Sequence, residues 1–387
     1  MEFTDEQEAA IIKAKRWWKT QDKQTFEISG CAGSGKSTIV YYLIDELNIN
    51  HDDVLFITFV GKAALVLAQK GNNAKTIHSA IYDAIDVPKL DENGKFITVN
   101  NRVLTTVEFV KKEKLPNNIR LIVVDEAGMV PEKLALDILS FDIPVIALGD
   151  NNQLDPVFGN RFFLMKPDAT LTKPMRQALD SPIIYLAQRA MHGKNIKIGK
   201  YGNNCYVIDK SMVTDNMLIN SDIVICGRNK TRAELNDHIR HNVLKIDDPS
   251  PKVGEKLMCT QNNWNRSIGD GIYLINGMIG YVENVYLNTY NGRTLTIDFR
   301  PDFIKDEYFK KVKVDYANLI AKPENRLSKR SFYDKFEYGY AATSYKVQGS
   351  EFNKVFIYSE PYGTADFRCR ELYTQITRAK KFLILAI

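Results

Sequence analysis

Residues 30–38 read GCAGSGKST, and the spacing of Gly30, Gly35, Lys36 and Ser37 is that of a phosphate-holding loop. In the G-x-x-x-x-G-K-[ST] pattern, backbone N–H groups cradle the phosphates, the lysine reaches the terminal ones and the hydroxyl reaches Mg²⁺. Gly30, Ala32, Gly33, Ser34, Gly35, Lys36, Ser37 and Thr38 are therefore candidates to bind a nucleotide with Mg²⁺, although the loop alone does not say which nucleotide; a glycine-rich turn that binds nothing is the plainer alternative. The flanks fit this chemistry. A β-prone run, Thr25 to Ile28, precedes the loop, and Ile39, Val40, Leu43, Ile44 and Leu47 follow at helical spacing. Strand, tight loop and helix N-terminus come in the order that anion binding by backbone amides needs.

A second stretch, VVDEAGMV at 123–130, places two carboxylates at the end of an apolar run. Phosphoryl transfer gives the two acids separate roles. Asp125 can hold hydrated Mg²⁺ together with Ser37, and Glu126 can orient or deprotonate the attacking water. The plainer alternative is a pair of solvated acids beginning a loop. In GDNNQLDPV at 149–157, Gln153 follows another apolar run, where an amide can sense a γ-phosphate; a simple polar loop is the alternative.

Positioning these residues requires a sheet. DVLFITF at 53–59, IRLIVVDEA at 119–127 and IPVIALGD at 143–150 read as buried parallel strands. Ligands of open α/β sheets sit at the carboxyl ends of strands, so Asp125, Glu126, Gly149 and Asp150 are expected to converge on the loop containing Lys36. At the start of the chain, Thr4 and Gln7 form a T-x-x-Q capping box ahead of the amphipathic stretch Ala9 to Trp18.

Further along, Asn93-Gly94 beside the alternating segment Lys95 to Val99 reads as a hairpin protruding from the sheet domain. SDIVICGRN at 221–229 restarts the α/β pattern, followed by a helix expected from Lys230 to Leu244. Between about 250 and 336 the texture changes to short β-prone pieces separated by Asn-Gly and Gly-rich turns, as in a small β-barrel inserted into a second α/β domain. KVFIYSE, a helical stretch around ELYTQITRAKK and the strand FLILAI then close the chain.

Composition sets the bounds. The 387 residues suggest two or three domains, and 44% hydrophobic with 26% charged residues is ordinary for a globular chain. No apolar run reaches membrane-spanning length and MEFTDEQEAA is too acidic and polar for a signal peptide, so a cytoplasmic protein without membrane partners is expected. Cys31, Cys205, Cys226, Cys259 and Cys369 lie far apart without a C-x-x-C pair, which signals neither disulfides nor zinc. The net charge of +5 permits a polyanion partner only through a local groove.

Together these stretches resemble the superfamily 1B helicases, in particular the compact phage Dda-like and RecD-like members. The resemblance rests on FTDEQ at 3–7, GCAGSGKST at 30–38, GKAA at 61–64, KTIH at 75–78, DEAGM at 125–129, GDNNQLDPV at 149–157, LTKPMRQ at 171–177, ATSYKVQGSEF at 342–352 and LYTQITRA at 372–379. It implies an α/β fold of two RecA-like P-loop domains in tandem, with a β-hairpin pin inserted in the first and an SH3-like β-barrel in the second. The implied boundaries are 1–87 with 115–165 for the first domain, 88–114 for the pin, 166–249 with 337–387 for the second domain, and 250–336 for the barrel.

The resemblance also implies that Arg176 and Arg378 face the γ-phosphate, that Gln7 reads adenine and that Glu351 lies near the ribose. For DNA it points to Lys62, Thr76 and His78, to Thr343, Tyr345 and Lys346, and to Phe96 as a wedge in the pin. Hydroxyls and lysines can position phosphates, while His and Tyr can stack on an unpaired strand. Two departures stand out: Phe59 and Val60 replace the usual Pro-Thr, and Tyr345 replaces the usual His. The aromatic tail SFYDKFEYGY at 331–340 reads as packing.

The expectation is an ATP-dependent DNA helicase, active as a monomer, translocating 5′ to 3′ on single-stranded DNA and opening single-strand/duplex junctions. A small-molecule kinase needs one P-loop domain and leaves LYTQITRA unexplained; a decayed DNA-binding module conflicts with intact Lys36, Ser37, Asp125 and Glu126. An RNA helicase remains open, because sequence alone shows no 2′-hydroxyl contact.

Overall fold

The computed structural model describes residues 3–88, 90, 94–99, 102–103, 105–156, 159–175, 180–269, 272–286, 294–321 and 333–387. Two compact units make up the chain: residues 1–151 with 155–173, and residues 152–154 with 174–387.

The first unit opens with α1 (Asp5–Thr20), whose start is fixed by the capping box expected from the sequence. Gln7 N–H donates to Thr4 Oγ1 at 3.3 Å, and Thr4 N–H donates to Gln7 Oε1 at 3.0 Å. Asp5, Glu6 and Glu8 in the first turn complement the helix dipole. Ala10, Ile11, Ala14 and Trp17 form the buried stripe of this helix.

The unit then runs β1 (Thr25–Gly30), α2 (Lys36–Glu46), β2 (Val54–Thr58), α3 (Gly61–Gln69), β3 (Ala74–Thr76), α4 (Ile77–Ile81), β4 (Tyr82–Pro88), β5 (Thr98–Val99), β6 (Arg102–Val103), β7 (Thr105–Lys111), β8 (Leu121–Asp125), α5 (Glu132–Leu139), β9 (Val145–Gly149) and β10 (Ala169–Leu171). Among the described residues, six strands form a parallel sheet in the order β10-β1-β9-β8-β2-β3. Every residue of β2 and β9 is buried, which is why these strands read as continuous apolar runs without alternation.

A hairpin stands off this sheet. β4 and β7 pair antiparallel from Tyr82↔Lys111 to Pro88↔Thr105. Their ladder begins at Tyr82, ahead of residue 88, where the resemblance put the start of the insertion. Further out, Leu90 bridges Phe96, and Gly94 between them has φ 77°. Asn93 itself lies outside the described residues.

The second unit contains α6 (Pro182–Met191), β11 (Gly199–Tyr201), β12 (Cys205–Ile208), α7 (Asp215–Ile219), β13 (Ile223–Cys226) and α8 (Asn229–Asp237), which runs into a π-helical turn, His238–Val243. β14 (Lys256–Cys259), β15 (Asn263–Ile268), β16 (Ile272–Leu274), β17 (Ile279–Tyr286), β18 (Thr294–Pro301), β19 (Phe309–Asp315), α9 (Tyr316–Ile320) and β20 (Phe336–Tyr338) follow. The unit ends with β21 (Ala341–Thr343), α10 (Ser344–Val347), β22 (Phe352–Tyr358), α11 (Ala365–Ile376) and β23 (Ala379–Ala386). Its main sheet has the order β11-β12-β23-β22-β13-β21 among the described residues, parallel except for the β11–β12 edge.

The β-rich insertion forms a separate antiparallel sheet, β19-β18-β17-β14-β20. Phe299, Phe309 and Phe336 lie at its core, with Phe299 and Phe336 ring centres 5.0 Å apart in edge contact. Gly280 admits no side chain there, since a Cβ would fall 2.3 Å from the Arg300 carbonyl. Of the aromatic tail, Phe336 and Tyr340 are buried, so packing is their role; residues 331 and 332 lie outside the described residues. Where the chain leaves the main sheet for this insertion, Arg240 on the π-helical turn is buried against Glu255, with Nε to Oε1 2.9 Å. Tyr340 Oη and the Lys252 N–H donate to the same carboxylate at 3.1 and 2.8 Å.

Candidate functional site

The phosphate loop leaves β1 and enters α2 through two left-handed glycines, Gly33 at φ 75° and Gly35 at φ 81°. Gly35 is also the N-cap, so the first amides of α2 have no side-chain cap. Gly30 is required by space: a Cβ would meet Ser34 Oγ at 2.5 Å, Lys36 Cγ at 3.0 Å and Leu171 Cβ at 3.1 Å. Lys36 Nζ donates to the Gly30 and Cys31 carbonyls at 2.6 and 3.2 Å, which folds the ammonium over the loop. Among the described residues, Ser34 Oγ is buried without a hydrogen-bond partner, a cost that a phosphate oxygen would remove. The loop therefore fits a nucleotide's phosphates: donors in excess, left-handed glycines and a helix N-terminus.

Strand register brings the other candidates level with it. Ser29 of β1 pairs with Gly149 of β9, and Val124 of β8 pairs with Ala147 of β9. Thus β9 lies between the strand that feeds the loop and the strand that ends in Asp125. Glu126 turns the chain out of the sheet at φ 52° and ψ 39°, a left-handed conformation rare outside glycine. Gly149 lets the turned segment close up, because a Cβ there would be 3.1 Å from Gly128 N and 2.6 Å from Leu164 Cδ1. Asp150 is buried directly beyond it. Asp125 and the Ser37 hydroxyl are hard oxygen donors suited to Mg²⁺. No cluster of three His, Cys, Asp or Glu gathers among the described residues.

Gln7 is 2% exposed, and its Nε2 donates to the Ser34 carbonyl at 3.0 Å, tying α1 to the phosphate loop. Gln153 sits in the 152–154 segment, which packs with the second unit: Leu154 N–H donates to Thr374 Oγ1 at 3.1 Å, and Gln348 Nε2 donates to the Leu154 carbonyl at 3.0 Å.

In the second unit, Arg378 is buried and hydrogen-bonded three ways, to the Thr374 carbonyl at 3.0 Å, the Ser350 carbonyl at 3.1 Å and Thr377 Oγ1 at 3.1 Å. Glu351 is exposed and paired with Lys380 at 2.9 Å. Arg176 lies outside the described residues.

The expected DNA contacts fall into two groups. In the first unit Lys62 is on α3, and Thr76 caps α4, accepting from the Ser79 N–H at 3.2 Å. His78 sits among aromatic rings, with centroid distances of 6.4 Å to Phe59, 5.7 Å to Tyr82 and 5.5 Å to Phe109. Burial holds its pKa below the ordinary imidazole value. Sequence reasoning did not include Tyr82 or Phe109 in this group; the signal for Tyr82 was its spacing four residues beyond His78. Phe96 is 60% exposed on the hairpin, the most exposed of the described phenylalanines. In the second unit Thr343 is buried ahead of α10, Tyr345 is half-buried, and Lys346 pairs with Glu337 at 2.5 Å. Glu337 is a neighbour that no spacing rule could have placed beside Lys346.

The cysteines are all reduced among the described residues, and burial pushes the thiols of Cys205, Cys226 and Cys259 up to about 12. No helix of the described residues is long and apolar enough to cross a membrane.

Comparison with known proteins gives this geometry a context. Residues 14–159 match the family model of an AAA domain, and residues 338–386 that of a UvrD-like helicase C-terminal domain. The chain is 25% identical over 437 residues to the ATP-dependent DNA helicase Dda of Enterobacteria phage T4, covering 93% of this chain and 94% of that one. It is 24% identical over 379 residues to the ATP-dependent RecD2 DNA helicase of Deinococcus radiodurans, covering 91% of this chain and 45% of that one. In fold it is similar to a Pif1 helicase from Bacteroides in complex with ADP-AlF3 and ssDNA, with TM-score 0.53 at 17% identity, covering 100% of this chain and 92% of that one.

The chain resembles the superfamily 1B helicases, Dda-like and RecD-like members among them, a class of DNA helicases with ATPase activity. It spans 36% and 45% of the length of two of the curated relatives it matches.

Proposed function

We propose that this protein is an ATP-dependent DNA helicase that translocates 5′ to 3′ along single-stranded DNA and separates duplex DNA, acting as a monomer. The observation that carries the reading is the register of the first sheet, which levels the Lys36 loop with the carboxyl ends of β8 and β9. A second, mainly parallel sheet, whose last strand β23 begins directly after Arg378, supports a motor over a kinase.

In this reading Lys36 and the α2 amides bind the terminal phosphates, Ser37 and Asp125 hold Mg²⁺, and Glu126 orients water and takes its proton. When bound, Mg²⁺ would supply positive charge against the negative charge developing on the phosphates. Arg378 completes the charge balance when the second RecA-like unit closes on the nucleotide. Its guanidinium has five N–H donors, and the three held within the unit fix its plane while two remain for a phosphate oxygen. Lys62, Thr76, Thr343, Tyr345 and Lys346 track the strand, with the hairpin carrying Phe96 at the junction and the inserted β sheet as an SH3-like buttress.

The test is unwinding of matched 5′-tailed and 3′-tailed duplexes with Mg²⁺-ATP, alongside hydrolysis with and without single-stranded DNA. Stimulated hydrolysis and opening of the 5′-tailed substrate are expected. Preference for the 3′ tail overturns the polarity, and hydrolysis indifferent to nucleic acid overturns the motor.

A further inference from the structure

Glu337 stands on β20, the strand by which the chain returns from the inserted β sheet, opposite Met258 of β14. Its two carboxylate oxygens serve different cations. Oε1 receives Lys346 Nζ at 2.5 Å, and Oε2 is paired with Arg232 Nη1. Arg232, on α8, is 4% exposed, whereas the Lys346 side chain is 24% exposed. The two halves of this triad are therefore unlike. Parting a buried pair leaves an uncompensated charge, so Arg232 anchors Glu337. Lys346 carries its point charge on a flexible four-carbon stem at the edge of solvent, and is the partner able to move.

To an ammonium group, a carboxylate oxygen and a phosphodiester oxygen are equivalent acceptors. We propose that Glu337 is a positioning residue for the DNA grip: held by Arg232, it aims Lys346 and competes with a backbone phosphate for its ammonium. The proposal rests on the reading of Lys346 as a DNA contact. A translocating motor must make and break the same phosphate contact at every step. A lysine facing no competing anion binds the strand more tightly and releases it more slowly; one with a fixed carboxylate within reach has a second acceptor ready as the phosphate leaves. Arg232 stays paired with Glu337 whether or not Lys346 is engaged.

The experiment measures single-stranded DNA affinity across a salt series for the unsubstituted chain, Glu337→Gln, Lys346→Ala and the double variant. The expected result is tighter binding by Glu337→Gln, with the slope of log K against log salt steeper by up to about 0.7, one phosphate on a single strand. Lys346→Ala binds more weakly, and the double variant binds like Lys346→Ala. An unchanged or weaker affinity in Glu337→Gln overturns the proposal, as does equal tightening in the Lys346→Ala background. If Glu337→Gln fails to fold, the paired change Arg232→Gln with Glu337→Gln leaves no lone buried charge and is read by the same criteria. A chain that binds no single-stranded DNA before any substitution overturns the helicase reading and this proposal together, and the unsubstituted arm alone reveals it.

Discussion

Glu126 adopts a left-handed backbone at φ 52°, a conformation that costs a non-glycine residue on the order of 1 kcal/mol or more. It persists beside Gly149, whose missing side chain admits the Gly128 amide. Lys36→Ala and Glu126→Gln are both expected to reduce ATP turnover by at least about a hundredfold, the scale of losing a charge stabiliser or a general base. Nucleotide titration distinguishes them: affinity falls in the first and survives in the second. Near-normal hydrolysis by Glu126→Gln at saturating DNA would move the base elsewhere. His78 supplies a pH signature. Burial lowers its pKa, so the unfolded chain takes up a proton near about 6.5 while the folded chain stays neutral. Its stability contribution is thus present above that pH and lost as pH falls toward the folded pKa. The melting temperature should drop on acidification through this window, and drop less in His78→Phe. Identical drops in the two proteins would remove His78 as the cause.

At the scale of elements, the hairpin shows what could be read from the chain and what could not. Gly94 was legible as a turn residue, because a glycine after asparagine favours a left-handed backbone, and its φ is 77°. The hairpin's long ladder was not: β4 and β7 are separated by 16 residues, and the pairing Pro88↔Thr105 is a non-local event with no spacing rule. The parallel strands were legible for the opposite reason, since burial on both faces leaves continuous apolar runs. Gln7 was legible as a capping residue, but its bond to the Ser34 carbonyl joins residues 27 apart and became visible only with the fold. Lys346 was picked by residue type and motif, and Glu337, nine residues before it, was missed because a strand and a turn separate them. The exposed Phe96 and Leu90 on this hairpin suit a wedge that unstacks a base pair, a cost of a few kcal/mol. Phe96→Ala, or residues 90–98 shortened to a tight turn, should leave DNA-stimulated hydrolysis and translocation largely intact while unwinding of a 5′-tailed duplex falls sharply. Equal retention of translocation and unwinding would leave the hairpin without this role.

At the scale of the whole molecule, a motor must keep fuel consumption and track binding separable. Arg378→Ala is expected to lower ATP turnover at least about a hundredfold while single-stranded DNA affinity changes little, because its hydrogen bonds lie within the second unit and no proposed DNA residue is among its partners. Loss of DNA affinity with turnover preserved would assign this arginine to the track instead. The inserted β sheet bears on the molecule in another way. The chain departs through β14 and returns through β20, and the two strands are directly paired, Leu257 with Tyr338 and Cys259 with Phe336. Paired residues of antiparallel strands lie only about 5 Å apart. Exit and entry therefore form a socket into which lobes of very different size can be plugged without rerouting the sheet beneath. A lineage can enlarge, trim or exchange such a cassette while the engine that carries it stays the same.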